Sequence, residues 1–434
     1  MTTTKREIGI GLIGLGTVGA GVWKLLQDNH DVLEQRTGVS IRVRKVCVSD
    51  LKKKRAVDVP KDLLTANPDD VINNPGIAIV VELIGGLEPA GSIILKAFEK
   101  GKHVVTANKA LLADRAAVLF QKGREKGLAL GFEASVAGGI PILKAIREGF
   151  IANRIQEIYG IINGTSNYIL TEMSDKGAAF ADVLKQAQKE GYAEQDPTFD
   201  VKGVDAAQKL AILIALAHGV EPPKSGVFTE GIDGLTPLDI EFAKKLGYSI
   251  KLLAICKERE GRIQARVHPT MIPLGHPLAD VKGVFNAIFL KGDAVGETMF
   301  LGRGAGMMPT ASAVVSDIAQ IAQMIASGIV VPVPAPLRRD ADLQPIEDLV
   351  TDYYLRFSVV DKPGVLAQIA ALLGEQGISI ASVYQQERDE GSRVPIVVMT
   401  HEARERNIRL AISKIDKLDA VLDKTVLIRV EHLK

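Results

Sequence analysis

Between residues 191 and 219 the chain reads GYAEQDPTFDVKGVDAAQKLAILIALAHG. Glu194, Asp196, Asp200 and Asp205 lie before or within the first turn of an apolar helical stretch that also carries Lys209. Asp205 and Lys209 are four residues apart and share one face of a helix. A simple ion pair, with the carboxylate favoured near the helix N-terminus, accounts for those two. It leaves Glu194, Asp196 and Asp200 unexplained. Carboxylates gathered beside a lysine suit a substrate that carries an ammonium group and a reactive oxygen. The carboxylates would hold the ammonium, and the lysine would give a proton to the alkoxide that hydride addition creates.

Hydride chemistry needs a nucleotide site, and the N-terminus has the pattern for one. Ile8 to Ile13 has strand length and leads into GLGTVG, with Gly14, Gly16 and Gly19 at dinucleotide-binding spacing and Leu15, Thr17 and Val18 between them. Such glycines serve a tight turn, close approach to pyrophosphate and helix–strand packing, with phosphates at the helix N-terminus. The uncharged run from Ile8 to Trp23 is too short to cross a bilayer and too glycine-rich to be an inserted targeting helix. After the next strand come Asp50 and the run Lys52, Lys53, Lys54, Arg55. An acid there accepts from the ribose of NAD, whereas Lys52 and Arg55 suit the 2′-phosphate of NADP. Both are present, so NAD and NADP stay open, with the basic run tipping the expectation towards NADP.

The elements that position these groups alternate. IAIVVELIGG reads as a buried strand, and KHVVTANK as another that ends in Thr106, Asn108 and Lys109, at the edge where ligands gather in parallel sheets. Residues 1–140 are expected to form a doubly wound, Rossmann-type α/β domain. Residues 141–335 read as an α+β substrate-binding, catalytic and dimerisation domain, with strands in IKLLAICKEREGRIQARVH and VFNAIFLKGDAVGETMFLG. A glycine loop, GRGAGMMPT, opens a helix expected to pack back on the first domain. That loop could touch the cofactor or be a plain interdomain turn. VPVPAPLRRD reads as an extended linker. Residues 348–434 run strand–helix–strand–strand–helix–strand, a ferredoxin-like unit.

Composition sets the remaining bounds. The 434 residues carry 53 basic and 52 acidic side chains, too balanced for a general attraction to nucleic acid or an anionic membrane. Cys47 and Cys256 are too few for a disulfide framework or thiolate metal site, and a reducing cytoplasm is the simplest compartment.

The motifs taken together resemble the homoserine dehydrogenase family, in the form with a C-terminal ACT domain. Ala187, Gly191, Asp196-Pro197, Asp200, Gly203, Asp205 and Lys209 match its catalytic-helix signature. GLGTVG, VELIGG, TANKALLA, EASVAGGIPI, NGTSNYIL and GAGMMPTASAVVSD follow in family order, and DKPGVL resembles the start of an ACT domain. The resemblance implies reversible NAD(P)H-dependent reduction of aspartate 4-semialdehyde to homoserine, on the route to threonine and methionine. It implies that Lys209 is the general acid/base, that Asp205 and Glu194 bind the amino acid, and that Lys109 lies beside nicotinamide and substrate. Gly306 would touch the cofactor. Glu133, with the carbonyls of Val136, Gly138 and Ile140, would hold a monovalent cation, usually sodium. A homodimer or homotetramer with threonine as inhibitory effector is implied too, and removing the residues after Asp340 is expected to leave catalysis and abolish threonine sensitivity.

Two rival readings remain open at this level. One is another nicotinamide-dependent amino-acid oxidoreductase, against which the Lys209 motif argues. The other is a non-catalytic dinucleotide and amino-acid sensor, against which the retained Glu194, Asp205 and Lys209 argue.

Overall fold

A computed structural model describes residues 6–223, 227–329, 341–385 and 392–433; the linker read at 331–340 lies outside them. The chain divides into two compact units, residues 1–158, 208–225 and 286–341 in one and 159–207, 226–285 and 342–434 in the other.

The first unit is built on a six-stranded sheet. Its strands are β1 (Arg6–Ile13), β2 (Val39–Cys47), β3 (Leu64–Thr65), β4 (Ile79–Glu82), β5 (His103–Thr106) and β6 (Leu130–Gly131). They lie in the order β3-β2-β1-β4-β5-β6, every pair parallel. The order reverses at β1, so the loops after β1 and β4 leave a crevice at the carboxyl edge. Ile10, Leu12, Ile79 and Val81 are fully buried, as expected of parallel strands covered on both faces. The helix Met307–Ser327 joins this core through Ala311, Val314 and Ile318, against Val22 and Leu26 of the helix Thr17–Asp28. Gly21 allows the two helices to meet, since a methyl group there would lie 2.7 Å from the Met307 carbonyl oxygen and 2.9 Å from the Ala311 methyl.

In the second unit, β7 (Tyr248–Arg259) and β8 (Arg262–Pro273) form an antiparallel hairpin whose turn residues Glu260 and Gly261 have φ of 53° and 81°. The C-terminal strands are β9 (Val350–Val360), β10 (Ile380–Gln385), β11 (Arg393–Thr400) and β12 (Val426–Val430). With the helices Val365–Glu375 and Glu405–Ile415 they follow the strand and helix sequence of a ferredoxin-like unit around one core containing Phe357, Ile369, Val398 and Ile408. That sheet is not closed off. Strand β12 pairs antiparallel with β9 and parallel with β8, at Thr270–Arg429 and Met271–Val430, giving the order β7-β8-β12-β9-β11-β10.

Buried charge reinforces this junction. Arg266 on β8 pairs with Glu431, which also accepts from Lys257 on β7 at 2.6 Å. Tyr354 and Arg356 of β9 both bind the fully buried Asp239. Removing the residues after Asp340 would therefore take Glu431 from Arg266 and Lys257 and Arg356 from Asp239 in one step, a large cost for buried charge. The C-terminal segment is thus structurally tied to the preceding strands, unlike the separable module expected from the linker composition. Among the described residues no helix is long and apolar enough to cross a membrane.

Candidate functional site

The glycine loop sits at the carboxyl end of β1. Gly14 has φ of 106°, and its N–H donates to the Cys47 carbonyl at 2.9 Å, tying the turn to the end of β2. A side chain there would meet the Leu83 carbonyl oxygen at 2.7 Å, and one at Gly19 would overlap the Gly14 carbonyl. Gly16 has open space where a Cβ would project. Leu15 is buried beneath the loop, Val18 is half-buried, and Gly16 and Thr17 are exposed. The helix Thr17–Asp28 has no side-chain N-cap and no acid in its first turn, so its leading N–H groups suit an anion. These features fit the pyrophosphate of a dinucleotide.

The loop after β2 is organised by its own side chains. Asp50 Oδ1 accepts from the Lys52 N–H at 2.8 Å, and the Arg55 guanidinium donates to the Asp50 carbonyl and, at 2.7 Å, to the Lys53 carbonyl. The backbone of this loop is thereby tied to the Asp50 carboxylate and the Arg55 guanidinium.

At the ends of β4 and β5, buried Glu82 accepts from the N–H groups of Ile84 and Gly85 and from the Thr106 hydroxyl at 2.6 Å. Thr106 is fully buried and its hydroxyl is committed to Glu82, so it shapes the ligand edge from beneath. Asn108 caps the helix Lys109–Lys126 by accepting from the Leu111 N–H, and its amide donates to the Gly86 carbonyl at 2.6 Å. Half-buried Lys109 opens that helix. Glu82 escaped the sequence reading because a glutamate at a strand end carries no distinguishing spacing.

The turn from Glu133 to Ile140 is also built. Glu133 is 3% exposed and accepts from the N–H groups of Leu143 and Lys144, both at 2.8 Å. Burial, then the Asp317 charge, push its carboxyl up to about 7. Ala137 and Gly138 both adopt left-handed backbone, with φ of 54° and 52°. Gly139 donates to the Arg303 carbonyl at 3.1 Å, and a side chain on Gly138 would stand 2.5 Å from the Gly304 carbonyl oxygen. The fold thus stacks the expected cation turn on the loop that contains Gly306. Among the described residues no backbone N–H donates to the Val136 or Gly138 carbonyl, while Ile140 accepts from Ile142. No cluster of three or more His, Cys, Asp or Glu among those residues could hold a metal. One carboxylate with main-chain carbonyls is a donor set for a monovalent hard cation.

In the second unit the carboxylates of the opening stretch separate by role. Asp196 accepts from the Thr198 N–H at 3.1 Å, and hydrogen bonds with Thr198 hold its carboxyl below the usual range. It is a local turn cap. Glu194 is exposed, on a segment held by Gln188, which donates to the Glu194 and Gln195 carbonyls. Asp200 and Asp205 are drawn together by Asn163, whose amide nitrogen donates to Asp200 Oδ1 at 2.7 Å and Asp205 Oδ2 at 2.9 Å. Asp205 opens the helix Val204–His218, and half-buried Lys209 follows one turn later. Gly203, with φ of 81°, makes the turn into that helix, where a side chain would crowd Thr229 and Val267.

Asn163 was not foreseen as a site residue; NGT reads in isolation as a chance glycosylation sequon. The available signal was an asparagine where a strand turns into a helix, the N-cap position.

Residues 14–133 match the family model described as homoserine dehydrogenase, NAD binding domain; residues 141–319 match the homoserine dehydrogenase model and 353–420 the ACT domain model. A homoserine dehydrogenase of Pseudomonas aeruginosa is 46% identical over 99% of this chain and 100% of its own length. One of Neisseria gonorrhoeae is 45% identical over 99% of each. The crystal structure of a homoserine dehydrogenase from Thiobacillus denitrificans superposes with a TM-score of 0.92 at 48% identity, covering 98% of this chain and 99% of that one.

Proposed function

Because the chain belongs to the homoserine dehydrogenase family, we propose specific roles for its residues in the family reaction, the reversible NAD(P)H-dependent reduction of L-aspartate 4-semialdehyde to L-homoserine. The observation that carries the assignment is the Asp200–Asn163–Asp205 cluster one helical turn before Lys209. Asp200 and Asp205, with Glu194, hold the substrate ammonium. Lys209 gives a proton to the aldehyde oxygen as it becomes an alkoxide, and takes it back in the reverse direction. Lys109 orients the substrate beside the cofactor. Reduced nicotinamide supplies the hydride. The loop from Gly14 to Gly19 holds the pyrophosphate, with Gly306 contributing, and Lys52 and Arg55 favour the 2′-phosphate of NADPH over the NADH that Asp50 alone would select. Glu133, with the carbonyls of Val136, Gly138 and Ile140, holds a monovalent cation, with sodium the proposed ion.

The C-terminal unit is assigned to regulation of a homodimer or homotetramer. A cavity of about 200 Å³ is lined by Asp361, Lys362, Pro363, Gly364, Gln385 and Ile396. Gly364, with φ of 91°, opens the helix Val365–Glu375 at its wall. A carboxylate and a lysine beside a helix N-terminus suit a zwitterionic amino acid, and threonine is the proposed effector.

The test is NADPH oxidation dependent on L-aspartate 4-semialdehyde, run with and without millimolar threonine. Turnover to homoserine is expected, ammonia release or no turnover overturns the residue assignments, and unaltered kinetics in Lys209→Ala or Asp205→Asn would do so residue by residue. An enzyme indifferent to threonine would remove the effector assignment, and one inhibited to the same degree after Asp361→Asn would remove this cavity as its site. Sedimentation of the full chain tests assembly, and a monomer at assay concentration ends that proposal.

A further inference from the structure

Asn163 lies at the end of the strand Ile155–Ile161 and caps the helix Gly164–Lys176, its side-chain oxygen accepting from the Ser166 N–H at 2.8 Å. That bond fixes the orientation of the amide. With the oxygen committed to the helix, the NH₂ group must face the other way, where it meets Asp200 at 2.7 Å and Asp205 at 2.9 Å. Asn163 is 6% exposed and Asp205 4%. An amide nitrogen carries two hydrogens about 120° apart, so two oxygens each bonded to it stand roughly 5 Å from one another. Left alone, two carboxylates at that spacing repel, and in a partly dry site the repulsion is poorly screened.

The surrounding backbone holds the same triangle. Ser166 Oγ donates to the Asp200 carbonyl at 3.0 Å, Thr165 Oγ1 donates to the Tyr192 carbonyl at 2.7 Å, and Ile232 N–H donates to the Val201 carbonyl at 2.9 Å. The backbone at Asp200 is thus placed by neighbours outside its own loop, and the Asn163 side chain bonds both Asp200 and Asp205.

We infer that Asn163 is a positioning residue for substrate recognition, its amide nitrogen setting the spacing of Asp200 and Asp205 so that the pair receives the substrate ammonium. The inference deepens the residue assignment above and rests on Asp205 being a substrate ligand. A helix cap alone needs only the oxygen of Asn163; the double donation from the nitrogen is what the recognition role adds.

Three full-length variants test this. Asn163→Ser retains an N-cap oxygen but is too short to span both carboxylates. The loss of charge-assisted hydrogen bonds should raise KM for aspartate 4-semialdehyde about 10- to 100-fold, with kcat within about 3-fold and KM for NADPH unchanged. Asn163→Asp keeps the cap and replaces the donor by a third carboxylate. The acid limb of kcat/KM for the amino acid should move up by about one pH unit, because three adjacent carboxylates resist ionising together. Both variants keep the cap, so a cap-only role predicts neither the KM change nor the pH shift, and that result overturns the inference. Asp205→Asn separates the two levels. If it leaves the amino-acid KM unaltered, the substrate assignment falls and takes this inference with it. If it raises KM while Asn163→Ser does not, only the role of Asn163 is wrong.

Discussion

Arg429 donates to Glu230 Oε2 at 2.7 Å across 199 residues of sequence, and its guanidinium also holds buried Glu405 through two bonds, at 2.9 and 2.5 Å. Arg429 is 1% exposed, and its guanidinium stacks 4.8 Å from the Phe228 ring centre. Glu230 also accepts from Arg409 at 2.9 Å. Two residues further on, Ile232 bonds the Val201 carbonyl beside Asp200. The last strand is therefore joined by buried charge to the segment that supports Asp200.

Arg429→Met should destabilise the protein by about 3 kcal/mol in denaturant unfolding, because it leaves buried Glu405 with only the exposed Arg409 and the Tyr353 hydroxyl as partners. Glu230→Gln should cost less, about 1 kcal/mol, since Glu230 is 35% exposed and solvent screens it. Burial opposes ionisation of Glu230, but Arg429 and Arg409 outweigh it and hold its carboxyl below the ordinary value of 4.5. Its contribution is present above that value and lost as pH falls through the lower folded value. The difference between wild type and Glu230→Gln should therefore vanish in acid. A difference that grows on acidification would contradict the pairing.

Lys209→Ala should lower kcat by roughly 10²- to 10⁴-fold, the range for a lost general acid. NADPH affinity measured by fluorescence titration should persist, because Lys209 lies outside the glycine loop. Near-normal kcat would reduce the lysine to an ion-pair partner.

Neutralising Lys52, Lys53, Lys54 and Arg55 together should weaken NADPH much more than NADH. A charge-assisted hydrogen bond to the 2′-phosphate contributes about 1.5–3 kcal/mol. Equal effects on both cofactors would make the run a solvated loop and leave the preference to Asp50.

Lys251 is 4% exposed and donates to the Val281 carbonyl at 2.6 Å. Burial, then the Lys282 charge, bring it down to about 8 from 10.5. Between those two values the unfolded chain holds the proton that the folded protein has lost, so this group makes stability rise with pH there. Below about 8 the destabilisation is complete. Lys251→Met should therefore be more stable than wild type at pH 7, by on the order of 1–3 kcal/mol, with the gain gone by pH 10.5. Unfolding midpoints at several pH values measure it, and a gain independent of pH would point to packing instead.

Sodium chloride should raise the melting temperature above that in tetramethylammonium chloride at equal ionic strength, at pH 8. A cation near Glu133 requires its carboxylate, and that group, raised to about 7, is mostly protonated at lower pH. The sodium effect should fade by pH 5 and be absent in Glu133→Gln. Identical melting in both salts at pH 8 would remove the cation from the turn.

Much of this was legible in the sequence because it depends on near neighbours. The glycine spacing from Gly14 to Gly19, the alternation of strands and helices, and the shared face of Asp205 and Lys209 all follow from backbone geometry over a few residues. The ferredoxin-like order of the C-terminal unit was readable for the same reason. Other relationships were settled only by the tertiary structure. Asn163 meets Asp200 and Asp205 from 37 and 42 residues away, and β12 pairs with β8. Such long-range pairings leave no local periodicity. They arise because apolar faces and charged groups must find partners wherever the folded chain supplies them, and a buried carboxylate or arginine without one would cost more than the chain's small net stability permits.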